Sequence, residues 1–239
     1  MKVLIKHDHK FLIKDKSKDY HTQYGVVSSK DLSKSKAKTN KGTEFFIFDA
    51  SFIDIYEKMK RQAQIITPKD IGTIISETGI NKDSKVLDAG SGSGALCCFL
   101  ANICKKVVSY DIREDHQKTA KHNMEMLGLK NLTFKLGDVR EKISEKDFDL
   151  IILDMPDPWN ALGNAKAALK NGGFLVIYSP TIPQVMDTVS KIKTEFSDSF
   201  IFLKTLETIQ RPWDVDERKV RPVSSYINHT AFLTFIRRI

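Results

Sequence analysis

The sequence of 239 residues is poor in cysteine and tryptophan and has no long apolar run, and each shortage excludes a class of protein. The three cysteines, Cys97, Cys98 and Cys104, lack the paired spacing of a zinc site or a disulfide framework, so we expect small buried hydrophobic side chains and no metal. No apolar stretch is long enough to cross a membrane, and the N-terminal MKVLIKHDHK lacks the apolar core of a signal peptide. These shortages predict a cytoplasmic protein without a membrane segment.

Negative charge is scarce at the start of the chain. Residues 1–41 hold 11 lysines against 4 aspartates, a net charge of +7 out of +8 for the whole sequence. A positive segment of this kind predicts an electrostatic contact with a polyanion, of which nucleic acid is the first candidate. The alternative is a lysine-rich surface that is solvated and binds nothing.

Three regions differ in their residue patterns. Residues 1–50 contain short alternating stretches such as KVLIK and EFFIFDA, which predict a small β-domain that resembles a barrel and binds RNA, with a mobile polar loop over 29–43. Residues 51–67 predict a linker helix that begins at Ser51. Residues 68–239 alternate between strand and helix patterns.

The alternation over 68–239 predicts an α/β fold. It contains seven strand patterns. In chain order they are KVLDA, KVVSYDI, NLTFKLGD, FDLIILD, GGFLVIYSP, SFIFLKTLETI and HTAFLTFIRRI. The first five are separated by helix patterns or short connections, whereas no helix fits between the last two, which we therefore expect to pair antiparallel. The expected architecture is a seven-stranded, doubly wound, Rossmann-like sheet with an antiparallel last strand.

The first strand end carries a glycine loop, VLDAGSGSGAL. Glycines allow close approach of the backbone to a ligand, and the loop opens a helix whose N–H groups are free. Its candidate cofactor residues are Gly90, Ser91, Gly92, Ser93, Gly94, Ala95 and Leu96. The spacing also satisfies a dinucleotide site, which leaves a nicotinamide cofactor open. Asp111 after the second strand suits ribose hydroxyls, and Asp138 after the third suits an adenine amine, so S-adenosylmethionine is favoured.

The fourth strand ends in an acidic, proline-rich turn, LDMPDPW. Two prolines make the turn rigid and place Asp154 beside the cofactor. Methyl transfer to a ring nitrogen of adenine requires no prior base, because the lone pair is free. A fixed carboxylate that accepts from the exocyclic amine would stabilise the positive charge that develops. Trp159 suits base stacking and core packing equally well.

These segments in this order resemble the tRNA adenine-N1 methyltransferases that modify the T-loop, and the resemblance covers nearly the whole chain. Four further stretches carry it: RQAQIITPKD at 61–70, YDIREDH at 110–116, YSPTIPQ at 178–184 and RPVSSYINHTAFL at 221–233. The resemblance implies a homotetramer that binds tRNA, with the N-terminal β-domain helping. It also implies that archaeal relatives methylate the preceding adenosine as well.

The resemblance assigns roles to individual residues. It implies that Asp154 is the catalytic acid, that Asp111 and His116 hold the cofactor ribose, and that Asp138, with Val139 after it, holds the cofactor adenine. The implied substrate residues are Tyr178, Trp159, Thr67, Arg61, Gln64, Arg221 and His229. Thr67 stands where relatives often carry an aromatic residue or histidine, and His229 could equally be structural. Two alternatives stay open: a methyltransferase acting on adenine N6, and a non-catalytic tRNA-binding subunit.

Overall fold

The structure is a computed structural model that describes residues 1–7, 9–62 and 64–239, leaving out Asp8 and Ala63. The chain divides into two compact units, Met1–Met59 and Lys60–Ile239. No helix in the described residues is long and apolar enough to span a membrane.

The first unit is built from short antiparallel strands. They are β1 (Lys2–Lys6), β2 (His9–Ile13), β3 (Tyr20–Thr22), β4 (Gly25–Val27), β5 (Lys36–Lys38) and β6 (Glu44–Asp49). Strands β2, β1, β6 and β5 form one sheet in that order, and β3 pairs with β4. Alternation along β6 buries Phe45 and Ile47 in the core, together with Leu4 and Ile13, and exposes Phe46 and Phe48.

The polar loop predicted over 29–43 is more structured than expected. It contains a 3₁₀ turn over Ser29–Asp31 and strand β5, which pairs with β6. Leu32 and Ala37 are buried in the core of this unit. Burial of Leu32 and Ala37 in this core therefore holds the lysine-rich segment in place.

The linker helix predicted over 51–67 is a short helix, α1 (Phe52–Tyr56), and Ala63 within that range lies outside the described residues. Ser51 caps it together with Asp54, as its position predicted. The helix does not continue because backbone groups beyond it bind side chains. The Asn123 amide binds both the N–H and the carbonyl of Lys60, and the Gln62 N–H donates to Ser93 Oγ at 2.8 Å.

The second unit is the predicted α/β fold. Its elements are α2 (Pro68–Thr78), β7 (Lys85–Ala89), α3 (Ala95–Ala101), β8 (Lys106–Asp111), α4 (Glu114–Leu127), β9 (Leu132–Leu136), β10 (Phe148–Leu153), a 3₁₀ helix (Pro158–Ala161), α5 (Leu162–Ala168), β11 (Leu169–Ser179), α6 (Ile182–Glu195), β12 (Phe200–Glu207), β13 (Trp213–Asp216), β14 (Lys219–Pro222) and β15 (Phe232–Arg238).

Seven of these strands form one sheet in the order β12, β15, β11, β10, β7, β8, β9. Strands β7 to β11 pair parallel, and β15 pairs antiparallel with both β11 and β12, so the predicted last strand is confirmed. The central strands are apolar because helices cover both faces. From β7 the chain continues to one side and from β10 to the other, so the carboxyl ends of these neighbours flank the switch point where ligands bind.

Two elements of this unit were not predicted. Helix α2 starts with Pro68 at its first position and ends at Gly79 in a left-handed conformation. The β13–β14 hairpin turns through Glu217 at a φ of +46°, without the glycine that normally marks such a turn. The three cysteines are buried, as expected.

Candidate active site

A pocket of about 270 Å³ opens at the carboxyl ends of the central strands. Its described lining combines residues 64–66, the glycine loop, the ends of β8 and β9, and the turn after β10. Most of the predicted cofactor residues lie in this lining: Gly90, Ser91, Gly92, Ser93, Ala95, Leu96, Asp111, His116, Asp138, Val139 and Asp154. Gly94 is not part of it. The structure therefore brings together residues from four separate strand ends.

Gly90 makes the closest backbone approach in the pocket. Its φ is +103°, and a Cβ at this position would lie 2.1 Å from the carbonyl oxygen of Asp154. Its N–H donates to the Tyr110 carbonyl at 2.9 Å, which ties the loop to β8. Only glycine fits between the ends of β7 and β10.

Gly94 has a different task. It is left-handed at a φ of +82°, begins α3, and would carry a Cβ 3.0 Å from the Ala120 side chain. Gly94 therefore serves the packing of α3 against α4, which explains its place outside the pocket lining.

A buried chain of hydroxyls runs beneath the loop. The Ser91 and Ser109 oxygens are 2.6 Å apart, and Ser109 donates to Asp88 Oδ2 at 2.7 Å. Asp88 Oδ1 is buried and has no hydrogen-bond partner in the part of the chain that the structure describes. Burial raises the pKa of Asp88 to about 7. The hydrogen bond from Ser109 lowers this pKa, and the charges of Asp154 and Asp111 raise it further. This carboxyl group therefore sits in an environment with too little positive charge.

Asp111 is held from three sides. Its Oδ2 accepts from the Gly92 N–H at 2.9 Å and faces His116 Nδ1 at 3.2 Å, and its Oδ1 accepts from the Arg113 N–H at 2.8 Å. The carboxylate is thus fixed at the end of β8, on the pocket wall. The contact of Asp111 to ribose hydroxyls stays a prediction.

Asp138 is paired with Arg140 two residues further on. The guanidinium contacts both carboxylate oxygens, with Nη2 2.6 Å from Oδ2, and this contact lowers the pKa of Asp138. Asn164 donates to the carbonyls of Val139 and Arg140 at 2.9 and 2.8 Å and so fixes the turn. Arg140 also lines the pocket, although the sequence analysis gave it no role.

Asp154 stands at the centre of the lining. It follows β10 directly, and its N–H donates to the Ala89 carbonyl at 2.8 Å. Among the described residues its carboxylate has no hydrogen-bond partner. Burial raises its pKa to about 7, and the nearby charge of Asp111 adds to the shift. A partly buried carboxylate without a partner on a pocket wall is a candidate catalytic group.

The chemistry of the lining selects a particular kind of ligand. Asp88, Asp111 and Asp154 repel one another, and a bound cation would relieve that repulsion. The apolar part of the wall consists of Ile65, Ile66, Leu96, Ile112, Val139 and Met155. The pocket therefore fits a molecule that combines a positive charge and ribose hydroxyls with a flat apolar ring.

Residues 60–62 and 64–66 form a strap along one side of the pocket. Asn123, fully buried in α4, holds it through Lys60 and also donates to the Ser93 carbonyl at 2.8 Å. The strap places Gln64, Ile65 and Ile66 in the lining. Gln64 was predicted as a substrate residue, and in this structure it lines the same pocket as the glycine loop.

The remaining predicted substrate residues lie outside the described lining. Tyr178 is buried near the end of β11, where the pairing of Leu153 with Ile177 sets Asp154 beside it. Burial, then the charge of Asp70, raises the pKa of Tyr178 to about 12, so it stays a neutral phenol. Trp159 packs against the core with Met155, which favours packing over base stacking.

Four of these residues lie in other segments of the chain, two before the glycine loop and two after it. Arg61 is exposed on the strap, and Thr67 precedes α2 and donates to Asp70 at 2.9 Å. Arg221 is exposed on β14. His229 Nδ1 is 2.6 Å from Glu207 Oε1 and its Nε2 is 3.0 Å from the Pro180 carbonyl. Both nitrogens face acceptors, so the imidazolium form satisfies both, and these hydrogen bonds, that to Pro180 first, raise the pKa of His229.

Several residues of the lining were not predicted. Ile112 directly follows Asp111 and is 63% exposed in the structure. The usable signal in the sequence was an isoleucine directly after an acid at a strand end. Arg140 could also have been found, because it follows Asp138 at the spacing of a local ion pair. Asn123 gave no local signal, since it stands in the middle of a helix and meets its partners only through the fold.

Comparison with known sequences gives consistent matches. The family model described as tRNA methyltransferase complex GCD14 subunit matches residues 56–229. A tRNA (adenine(57)-N(1)/adenine(58)-N(1))-methyltransferase of Methanocaldococcus jannaschii is 38% identical over 95% of this chain and 91% of that protein. A tRNA (adenine(58)-N(1))-methyltransferase of Thermus thermophilus is 33% identical over 84% of this chain and 80% of that protein.

Two solved structures resemble the whole chain. A SAM-dependent O-methyltransferase of Thermotoga maritima has a TM-score of 0.88 and 33% identity, and the match covers 100% of this chain and 92% of that chain. A tRNA (m1A58) methyltransferase of Aquifex aeolicus has a TM-score of 0.81 and 25% identity, and the match covers 100% of this chain and 96% of that chain. The two are named for different acceptor atoms.

Proposed function

Because the chain belongs to the tRNA methyltransferase complex GCD14 subunit family, we propose that it transfers the methyl group of S-adenosylmethionine to N1 of adenosine 58 in the T-loop of tRNA. One structural observation carries the proposal. The carboxylate of Asp154 lies on the pocket wall beside Gly90, without a hydrogen-bond partner among the described residues. An acid so placed can serve an incoming base rather than the fold.

The cofactor half of the site is formed by the ends of β7, β8 and β9. S-adenosylmethionine, when bound, supplies an electrophilic methyl group on a positively charged sulfur. The backbone of the glycine loop, Asp111 with His116, and Asp138 with Val139 would hold this cofactor, with Asp111 accepting from its ribose hydroxyls and Asp138 from its adenine amine. The acids of the pocket favour the cation over a neutral ligand.

Asp154 stabilises charge that develops on the target base. The N1 lone pair attacks the methyl group, the bond from methyl to sulfur breaks, and positive charge appears on the adenine. A fixed carboxylate that accepts from the exocyclic amine stabilises that charge more in the transition state than in the ground state. No general base is needed, because N1 carries no proton to remove. The fixed turn after β10 holds this acceptor in place before the base arrives.

The acceptor half of the site is formed by the end of β11, the start of β15 and the start of α2. The register of β10 and β11 sets Tyr178 next to Asp154, and in this proposal Tyr178 borders the base. Gln64 lines the pocket of the cofactor half. In this proposal it contributes to holding the T-loop, together with Thr67, Arg61, Arg221 and His229. The target base is stacked within the tRNA and has to leave its stack, at a cost of a few kcal/mol.

The first unit contributes RNA affinity through its lysines. Lys14, Lys16 and Lys18 are exposed and form no ion pair with the described residues. Changing all three to Gln should weaken tRNA binding and reduce the slope of log affinity against log salt by roughly two to three. The control changes Lys105, Lys106 and Lys130, which are also exposed but lie at the amino ends of β8 and β9. Equal slopes for the two triple variants would refute this role.

Self-association into a homotetramer is the proposed assembly. The β13–β14 hairpin exposes Trp213, Val215 and Val220, at 54%, 73% and 59%, and Ile227 beyond it is 72% exposed. Apolar side chains exposed together on a two-stranded ribbon are typical of an interface. Val215→Lys with Val220→Lys should shift the mass in sedimentation towards the monomer.

A tRNA-modifying enzyme is expected in the cytoplasm, which cell fractionation would test.

The reaction is tested with labelled S-adenosylmethionine and tRNA transcripts. Four transcripts suffice: unmodified, changed at position 58, changed at 57, and changed at both. After digestion at neutral pH, which preserves the N1 product, mass spectrometry should identify 1-methyladenosine that disappears when position 58 is changed. A residual product lost only in the double change would show that position 57 is also methylated.

Other outcomes would assign a different function. N6-methyladenosine or a methylated ribose hydroxyl would overturn N1 as the acceptor and keep a methyltransferase. Binding of tRNA without transfer would indicate a non-catalytic subunit, against which the glycine loop and the placement of Asp154 both speak.

A further inference from the structure

Four polar side chains form a cluster at the start of α2, outside the pocket described above, in which a buried ion pair is flanked by two half-buried threonines. They are Thr67, Lys69, Asp70 and Thr230, here named the buried quartet. The side chains of Lys69 and Asp70 are only 3% and 0% exposed. Thr230 comes from the other end of the unit, 160 residues after Asp70.

The quartet is closed by four short contacts. Lys69 Nζ donates to Asp70 Oδ1 at 2.8 Å and to Thr230 Oγ1 at 2.6 Å. Thr230 in turn donates to Asp70 Oδ2 at 2.7 Å, and Thr67 donates to the same oxygen at 2.9 Å. The Thr230 hydroxyl thus accepts from the cation and donates to the anion. It is the one member of the quartet that is not part of the Thr67–Asp70 turn.

A buried ion pair is a weak source of stability, because removing both charges from water costs about as much as their attraction returns. The contribution of this pair is to orientation, because it fixes the position of the group that it binds. Residues 223–231 contain no helix or strand, so the backbone hydrogen bonds of regular structure do not fix Thr230. The ion pair supplies two charge-assisted bonds to a single hydroxyl, which define its place to within a hydrogen-bond length.

The anchored segment borders the acceptor half of the site. Asp70 and Thr230 both act on the pKa of Tyr178, so both lie close to its phenol. Tyr178 stands beside Asp154 through the pairing of β10 with β11. Contacts therefore lead from the ion pair through Thr230 to the tyrosine next to the candidate catalytic carboxylate.

We propose that the Lys69–Asp70 pair is a positioning device which, through Thr230, holds the 223–231 segment and Tyr178 in the geometry that receives the target base. The inference rests on the proposed function and deepens it, since it names residues that set the acceptor half of the same site. Lys69, Asp70 and Thr230 act through Tyr178 and are positioning residues. The cofactor half does not depend on them.

The test uses Thr230→Val, which removes the hydroxyl and leaves the ion pair intact. The matched control is Thr208→Val. Thr208 also joins α2 to a distant segment, through a hydroxyl pair with Thr73 at 2.8 Å, but it has no part in the quartet. Thr230→Val should lower kcat/KM for tRNA by about tenfold to a hundredfold, because small displacements near reacting groups have effects of this size. The Kd for S-adenosylmethionine should change less than twofold, and Thr208→Val should leave both values within twofold of the parent protein.

A rescue separates positioning from general stability. Thr230→Ser restores the hydroxyl and should recover most of kcat/KM, while Thr230→Val and Thr208→Val should have similar melting temperatures. Equal activity of the two valine variants, or an equal loss of cofactor affinity and tRNA turnover in Thr230→Val, would overturn the inference. If Thr230→Val fails to fold, the Ser variant decides alone: a loss of turnover at unchanged melting temperature despite the restored hydroxyl would contradict the role of that hydroxyl. An unaltered protein that makes no 1-methyladenosine would instead refute the proposed function.

Discussion

The acids of the cofactor half are fixed by contacts to residues at most 21 positions away, whereas the acceptor half is closed by contacts that span 49 to 161 positions. In the cofactor half, Arg113 and Asp111 are two residues apart, as are Arg140 and Asp138, and His116 follows Asp111 by five. In the acceptor half, Lys69 reaches Thr230 across 161 residues, and His229 reaches the Pro180 carbonyl across 49. Asp154 lies on the border, tied to β7 on one side and β11 on the other.

This difference has a physical consequence. The contacts of Arg113 with Asp111 and of Arg140 with Asp138 form within one strand-to-helix turn, and the glycine loop meets Asp111 once the neighbouring strands β7 and β8 have paired. The acceptor half exists only when the last strands have paired, since long-range contacts depend on the completed fold. Changes in one half should therefore alter the affinity for one substrate and spare the other, and changes at the border should alter turnover.

The largest effect is expected at the border. Asp154→Asn keeps the shape of the side chain but removes the charge, and should lower kcat about 10²- to 10³-fold, as losing one transition-state hydrogen-bond partner does. The Kd for tRNA should change little, and the Kd for the cofactor should rise by a smaller factor than kcat falls, because one of the acids that favour the cation is lost. Rapid-quench methylation and equilibrium binding measure the two. Asp157→Asn, at the exposed second acid of the same turn, is the control, and an equal loss there would show that the turn rather than Asp154 matters.

A smaller effect, confined to the cofactor half, is expected for Gly90→Ala. The new Cβ would meet the Asp154 carbonyl in a left-handed conformation, a strain of about 1–3 kcal/mol. We expect calorimetry to show more than tenfold weaker binding of S-adenosylmethionine and an unchanged Kd for tRNA. Gly72→Ala in α2, where a Cβ would meet no atom within 4 Å, is the control and should be neutral or slightly stabilising. Loss of tRNA affinity in Gly90→Ala would break the separation of the halves.

The pH dependence should follow Asp154 and distinguish the free from the loaded site. With a pKa of about 7, its carboxylate is lost as the pH falls, so kcat/KM should fall about tenfold per pH unit below that value. A bound cation favours the carboxylate, so the pKa seen in kcat should be lower. The folded pKa lies above the unfolded value of about 4, so the ligand-free protein should lose stability as the pH rises from about 4 to 7. Thermal unfolding of Asp154→Asn should show a weaker slope, and an identical slope would assign the effect to Asp88.

The smallest effect is expected in the acceptor half at His229. His229→Gln should raise the KM for tRNA by less than about tenfold and leave cofactor affinity unchanged, because one of several long-range contacts is lost. The folded pKa of His229 is raised, so its contribution is full below about 6.5 and is lost as the pH rises through the folded value. The difference between parent and variant should therefore shrink at alkaline pH. His122→Gln on the exposed face of α4 is the control, and a cofactor effect at His229 would contradict the division.

How far the site could be predicted follows the same division. The glycine loop, Asp111, Asp138 and Asp154 all stand at strand ends that hydrophobic patterns located, so their convergence followed from parallel pairing alone. The buried quartet could not be predicted, since nothing in PKD or NHT indicates that the two segments meet. The linker helix was predicted too long because its backbone groups are bound by Asn123 and Ser93, which lie 63 and 31 residues away from their partners.

By itself the sequence determined the α/β alternation, the order of the strand ends and the chemical types gathered at them, because these depend on periodicities of two and 3.6 residues and on local turn chemistry. The tertiary structure alone decided which polar side chains are buried and what they bind. Lys69 and Asp70 follow a helix-starting proline and by sequence could face water, yet the antiparallel insertion of β15 brings Thr230 over them and shuts water out. Burial and partnership of such groups are set by contacts that no local pattern encodes.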